Sequence, residues 1–466
     1  MRLQSVRLSR VLLLCGAVNV FGIFAVLRLY LARPPDSAQS ADRKYDSAGH
    51  GESARCPPLR QSAVSTASVG EWQTVGDREA FVYSAYYDDR PGIGDSRVRV
   101  LAMTTDNFAE KLFVCHLWYR DKKSSVVVDA ASSYFGEGHE KKYDSTFYEC
   151  LLPTADQLTA PRGVSIVTAR CERATYVLDV HPVRAPVEPT HDFTLCVTPL
   201  NFRFDNHNQL TEMVEVNRMF GATKFVFYNY SSGHRVGEYL RAMKHEQLVD
   251  VIPWPLPVFV DTWPPNDMQP PEVHYFAQVA ALNDCLYRYM SASRYIVFTD
   301  LDEFIVPQGV HSTWISMLSE AAPGGAYMFR NAFFWRDWPD DVTFANTEAV
   351  RRHELVTLLK TKRQEELNSF YERSKCIVAP PSVVAMGVHN VVAFASDASG
   401  HVEVEPSLGM VHHYRSVLTP SDVDVANTRD RRMHSFASGI IRKVARRHRH
   451  VDGYLKKLRL RSTKEM

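Results

Sequence analysis

Asp300 and Asp302 are the residues whose types and spacing suit them best to chemistry. They flank Leu301 at the end of Tyr295-Ile296-Val297-Phe298-Thr299, and Glu303-Phe304-Ile305-Val306-Pro307 follows. The apolar, β-branched and aromatic run predicts a buried strand. Side chains alternate along an extended chain, so the two aspartates should point one way and Leu301 the other. Two carboxylates about 4 Å apart repel by roughly 4 kcal/mol at an effective dielectric of about 20. A divalent cation between them turns that repulsion into binding. Carboxylate oxygens suit hard cations such as Mg²⁺ or Mn²⁺, which keep positions open for phosphate oxygens. A solvated acidic turn is the bland alternative, and the pair alone does not choose between them.

The elements around the pair favour the first. Phe193 to Leu200 reads as a buried strand. Residues 209–220 carry Leu210, Met213, Val214 and Phe220 at helical spacing, with Gly221 as a C-cap. Strands over 224–229 and 248–252, helices over 236–245 and 273–291, and then the acidic strand complete the pattern. Strand-helix-strand three times over predicts an α/β domain with a mainly parallel sheet and helices on both faces. Ligands of such sheets bind beyond the carboxyl ends of the strands, where the pair would lie. No Gly-rich phosphate loop follows the first strand, so a metal on the pair would have to hold a diphosphate.

The whole chain has 466 residues, 45% hydrophobic and 23% charged, with a formal net charge of +1. That predicts two to three domains and no overall field for nucleic acid. Residues 1–10 read as a cytoplasmic tail and 11–32 as a single transmembrane signal anchor. Arg2, Arg7 and Arg10 precede the apolar stretch and hold the N-terminus in the cytosol. A cleaved signal peptide is the rival, without a clear small-x-small site. Residues 33–70, rich in Pro, Ser and Ala, predict a stalk. Residues 71–188 form short β-rich runs that predict an antiparallel, sandwich-like accessory domain, with sugar binding as its expected use. The α/β domain follows over 189–440, then a basic tail over 441–466. Anchor, stalk and large body predict a type II Golgi membrane protein. Cys15 falls in the anchor and seven cysteines follow it, an odd number that leaves at least one unpaired. The sequon Asn229-Tyr230-Ser231 closes a strand and is expected to be structural.

Several blocks together resemble glycosyltransferase family 92. They are Tyr83-Ser84-Ala85-Tyr86-Tyr87-Asp88-Asp89-Arg90, Phe225-Val226-Phe227-Tyr228-Asn229, Asn283-Asp284-Cys285-Leu286, Thr299-Asp300-Leu301-Asp302-Glu303-Phe304, Gly387-Val388-His389 and His413-Tyr414-Arg415. The resemblance spans about residues 72 to 440. It implies a GT-A fold with a Rossmann-like mixed sheet, a divalent metal (typically Mn²⁺), a UDP-sugar donor and inversion at the sugar carbon. Family members use UDP-galactose to make β1,4-linked galactose on fucosylated N-glycans or on galactan. A glycan or glycoprotein acceptor follows, and a homo-oligomer stays open.

On that reading Asp300, Asp302 and His413 hold the metal, with His389 and His412 as alternative histidines. Glu303 faces away from Asp302 and pairs with the scaffold. Thr198 and Pro199 end the first strand, where the nucleotide pocket would begin. Gln278, Asn283 and Asp284 are candidates for uracil or ribose, and Lys375 and Arg415 for phosphate. Capping and surface ion pairs are the structural alternatives for these. Asp337, between Trp335 and Trp338, is the candidate base, since desolvation by the tryptophans would raise its pKa. The basic tail reads as a solvated helix face, or as a surface for an anionic glycan. Two rivals remain: a glycan-binding, lectin-like protein without turnover, and a glycoside hydrolase. The latter wants carboxyls about 5–10 Å apart across a bond.

Overall fold

Apolar runs such as residues 80–88, 97–105 and 113–118 are buried on both faces of their strands, and in the computed structural model the strands over 80–182 close a barrel. The structure describes residues 65–67, 70–105, 112–157, 159–184, 188–262, 268–417 and 424–462. The expected anchor over 11–32 and nearly all of the stalk over 33–70 lie outside the described residues. Among the described residues no helix is long and apolar enough to cross a membrane.

The first sheet contains β1 (Ser65–Thr66), β2 (Gln73–Val75), β3 (Ala80–Asp88), β4 (Arg97–Thr105), β5 (Phe113–Trp118), β6 (Val126–Tyr134), β7 (Tyr143–Leu151), β8 (Gly163–Val167) and β9 (Tyr176–Pro182). Their order is β1-β9-β8-β5-β6-β7-β4-β3-β2, and a parallel pairing of β9 with β3 closes the ring. A barrel therefore replaces the expected sandwich, which removes the free edges between those two strands. Val82, Val100, Leu117 and Ile166 fill it. The Cys115–Cys150 disulfide joins β5 to β7.

The α/β part begins with β10 (His191–Leu200), β11 (Lys224–Asn229), β12 (Val249–Pro253) and β13 (Ser293–Thr299), all parallel. Between them run α1 (His207–Phe220), α2 (His234–His245) and α3 (Gln278–Tyr289). Further strands are β14 (Glu303–Pro307), β15 (Ala326–Phe329), β16 (Asn331–Trp335), β17 (Lys362–Gln364), β18 (Lys375–Val378), β19 (Val383–Met386), β20 (Val391–Phe394), β21 (His401–Val404), β22 (Gly409–Arg415) and β23 (Asn427–Arg429). The main sheet runs β12-β11-β10-β13-β18-β15-β21, with β18 antiparallel to both its neighbours. It is thus mixed, as the α/β expectation allowed. A small second sheet, β14-β22-β16, stands beside it.

The helix expected from Val273 starts only at Gln278. Tyr275, Phe276 and Ala277 have φ of 34°, 58° and 54°, a left-handed turn that α-helix cannot include. The last helix, Ala437–Ser462, buries Ile440, Val444 and Val451 in the same core as α1 and α2, so the basic segment is built into the domain.

Barrel and α/β sheet share one core. Phe81, Tyr86 and Phe147 of the first pack with Cys196, Tyr228 and Leu286 of the second. Asp284 is the polar knot of this seam. Its fully buried carboxylate accepts from Ser84 Oγ (2.5 Å), Tyr86 Oη (2.6 Å) and Tyr228 Oη (2.6 Å) and pairs with Arg288. Arg90 lies beside it, paired with Asp88 and donating to the Val383 carbonyl at 2.8 Å. The Cys196–Cys285 disulfide ties β10 to α3. Cys171 is also disulfide-bonded, and Cys376 is a buried free thiol.

Candidate active site

β13 stops at Thr299, so Asp300 to Asp302 form a turn between the main sheet and β14 of the small one. The pair sits at a strand end as expected, yet its orientation comes from the turn rather than from strand alternation. The turn borders a pocket of 790 Å³ whose walls include Thr198, Tyr275, Asp302, Arg336, His413 and Arg415.

Each carboxylate of the turn has its own surroundings. β10 shifts register between Val197 and Leu200, a bulge that aims Thr198 at the turn. Thr198 Oγ1 donates to Asp300 Oδ1 at 2.6 Å, and Lys375 Nζ lies 3.1 Å from Oδ2. Burial alone would raise the Asp300 pKa, but Lys375, the Thr198 hydroxyl and His413 outweigh it and hold it at about 2. Lys375 is itself buried, clamped between Asp300 and Glu303 (3.2 Å), and works as an internal counter-ion beneath the turn.

His413 on β22 lies opposite Glu303 on β14. Its Nδ1 is 3.2 Å from Glu303 Oε1, and its Nε2 is 3.5 Å from Asp302 Oδ2. Burial lowers the proton affinity of His413, but Glu303 and Asp302 more than offset it, so the ring is biased toward the charged form. Burial raises the pKa of Glu303 in spite of Lys375. Glu303 therefore does pair with the scaffold, but through the same histidine that meets Asp302. An imidazole oriented by a carboxylate on one nitrogen and facing the pocket with the other is a common metal-ligand arrangement.

The residues fit a divalent cation that takes most of its ligands from substrate. Adjacent ligands on a metal with bonds of about 2.1 Å lie about 3 Å apart, near the Asp302–His413 separation. Among the described residues no three His, Cys, Asp or Glu side chains form a closed metal cluster. Two carboxylates and an imidazole could supply a hard-to-borderline donor set, with phosphate oxygens completing it.

Other expected residues divide. Thr198, Pro199, Gln278, His389 and Arg415 line the pocket. Asn283 and Asp284 do not: both are fully buried, Asp284 in the seam and Asn283 bonded to the Met386 backbone through Oδ1 and Nδ2. Lys375 meets the acidic turn instead of opening to the pocket. His412 points to the other face of β22, buried against Phe334 at 4.4 Å, because neighbouring strand residues alternate. Asp337 is exposed and accepts the Val417 N–H at 2.9 Å, while Trp335 and Trp338 are core residues, so the expected base lies outside the pocket wall.

Arg336, Tyr275 and Glu137 are pocket residues that motif reasoning passed over. Arg336 lines the pocket, and its Nε is buried without a hydrogen-bond partner. Tyr275 owes its place to the left-handed turn, which drives Phe276 into the core and leaves Tyr275 41% exposed beside the acidic pair. Non-Gly residues in this region cost about 1–3 kcal/mol each and cluster at functional sites. The run Phe334-Trp335-Arg336 drew attention to its aspartate neighbour; its arginine was the available signal.

The sequence model of glycosyltransferase family 92 matches residues 191–450, and the chain belongs to that family. Beta-1,4-galactosyltransferase galt-1 of Caenorhabditis elegans is 24% identical over 356 residues, 73% of this chain and 75% of the relative. Glycosyltransferase family 92 protein F13G3.3 of the same organism is 25% identical over 232 residues, 49% of this chain and 44% of its own. Among solved structures, glucosyl-3-phosphoglycerate synthase from Mycobacterium tuberculosis, in complex with Mn²⁺, uridine diphosphate and glucosyl-3-phosphoglycerate, aligns over 55% of this chain and 80% of that one. Identity is 10% and the TM-score 0.25, too loose to bear on the site.

Proposed function

We propose that this glycosyltransferase moves a sugar, galactose from UDP-galactose, onto a glycan acceptor with inversion, using a divalent cation such as Mn²⁺, in the Golgi lumen. The observation that carries the reading is the convergence of Asp300, Asp302, His413 and Arg336 on one pocket. The family match and the galactosyltransferase relative support the donor, and the apolar stretch over 11–32 supports the location.

A cation held by Asp302 and His413, with Asp300 behind, would neutralise the charge that grows on the departing diphosphate. Arg336 and Arg415 face the same space and would bind phosphate oxygens with planar, two-pronged donors. Tyr275 offers an aromatic face to the base or the sugar. Glu303 keeps His413 oriented, and Lys375 holds Asp300 ionised so that it is ready for a cation.

The test is transfer by the full-length chain from UDP-galactose to fucosylated and plain glycan acceptors, with Mn²⁺ and with chelator. Transfer that needs the metal is expected. Asp302→Asn should lower kcat by about 10²–10³-fold, the usual cost of losing a group that stabilises transition-state charge. Metal-independent turnover, or unchanged turnover in the variant, would sink the reading.

A further inference from the structure

We propose that Glu137, carried into the pocket by the loop between β6 and β7 of the barrel, is the base that takes the proton of the acceptor hydroxyl during transfer. This rests on the transferase reading above and assigns it a residue outside the 191–450 family match.

The four carboxylates on the pocket wall are Glu137, Asp300, Asp302 and Glu303. Asp300 and Glu303 are engaged by Lys375, and Asp302 by His413, all on the side where the diphosphate would sit. Glu137 comes from the barrel, and its carboxylate is hydrogen-bonded to Val388 rather than to that cluster. Its two oxygens accept a single backbone N–H, that of Val388, at 3.2 and 3.0 Å, which fixes the carboxylate and leaves acceptor capacity on both oxygens.

The loop is built to deliver it. Phe135 anchors one end in the shared core, edge-on to Phe147 at 5.1 Å. Gly138 packs so closely on Asp144 that an added Cβ would fall 2.0 Å from its Oδ2. The His139 ring lies 3.9 Å from the ring of His274, next to Tyr275. On the receiving side, a Cβ at Gly387 would fall 2.5 Å from Glu137 Oε1. Glycine there vacates the space that the carboxylate occupies. Burial raises the proton affinity of Glu137 against the pull of Val388, His139 and Lys375, with Asp144 adding to the rise. His389 and Arg373 line the same pocket.

In the step, the acceptor oxygen attacks the anomeric carbon opposite the diphosphate. The new C–O bond forms as the anomeric C–O bond to phosphate breaks, and that electron pair leaves with the nucleoside diphosphate. The acceptor proton passes to the Glu137 carboxylate, and no other reactant is required.

The test uses the full-length chain, UDP-galactose, Mn²⁺ and an acceptor on which the wild type is active. Glu137→Gln should lower kcat by about 10²–10⁴-fold, the range for a lost general base, with donor affinity by calorimetry within about threefold of wild type. The acid limb of the wild-type kcat/KM profile should vanish from the residual activity. Gly387→Ala, which keeps the carboxylate but displaces it, should lower kcat more than it changes donor KM. Near-wild-type kcat in Glu137→Gln, or a matching loss of donor affinity, would overturn the assignment. A wild type that neither binds nor transfers from any nucleotide sugar would overturn the transferase reading and this one with it.

Discussion

His413 faces two carboxylates with its two nitrogens, and the difference between them is testable. Glu303 on Nδ1 orients the ring, while Asp302 and Nε2 are left to meet a cation. Glu303→Gln removes the orienting charge and keeps both aspartates, with an amide oxygen still able to accept the Asp300 N–H that Glu303 Oε2 takes at 3.0 Å. Metal affinity should fall about 10–100-fold, as is usual for an outer-shell partner, with Mn²⁺ titration of transferase activity as the readout. Arg336 makes the complementary prediction for the donor. A hydrogen bond to a charged group contributes about 1.5–3 kcal/mol, so Arg336→Ala should raise donor KM about 10–100-fold, and Arg336→Lys should recover only part of it. Steady-state kinetics with varied UDP-sugar would check both.

At the scale of elements, helix α3 shows how polar residues can mislead. Asn283 and Asp284 lie on the helix that leads into the acidic strand, and their types suit uracil or ribose. The structure turns both inward, toward β19 and the barrel. Breaking a buried ion pair costs about 3–5 kcal/mol because the remaining charge loses its partner. Asp284→Ala should therefore lower stability by that amount in chemical denaturation, with Arg288 and three hydroxyls left unsatisfied. Donor KM of the folded fraction should stay unchanged; a selective KM effect would return Asp284 to the donor site.

Across the whole molecule, the last helix locks onto α1 and α2 through groups that respond to pH. Tyr239 Oη lies 2.7 Å from His448 Nδ1, and His353 stacks on the ring at 4.3 Å. Burial first, then His353, His207 and Arg235, push the His448 pKa from 6.5 to about 3. A histidine held neutral in the fold contributes stability that is full above its unfolded pKa of about 6.5 and is lost as pH falls toward 3. Melting temperature should accordingly drop between pH 7 and pH 4. His448→Phe, which keeps the stack and cannot titrate, should flatten the slope; an unchanged slope would assign the acid sensitivity elsewhere.

Local periodicity and composition were enough for the α/β alternation, the acidic turn at a strand end and a separate β-rich segment, since each is written in near neighbours. Thr198 and Pro199 were also legible, because they end the first strand of the sheet; Gln278, His389 and Arg415 were offered on residue type and family resemblance, and they line the same pocket. Closure of the barrel, the choice of His413 over His412 and the burial of Asp284 depended on contacts between residues far apart in the chain. A strand's alternation says that 412 and 413 differ, but only packing against β14 and β16 says which of them faces the pocket. Glu137 lies more than 160 residues before the acidic pair, and neither its spacing nor its neighbours mark it. The fold brings it there through a glycine-rich loop and a vacancy at Gly387, and that juxtaposition exists only in three dimensions.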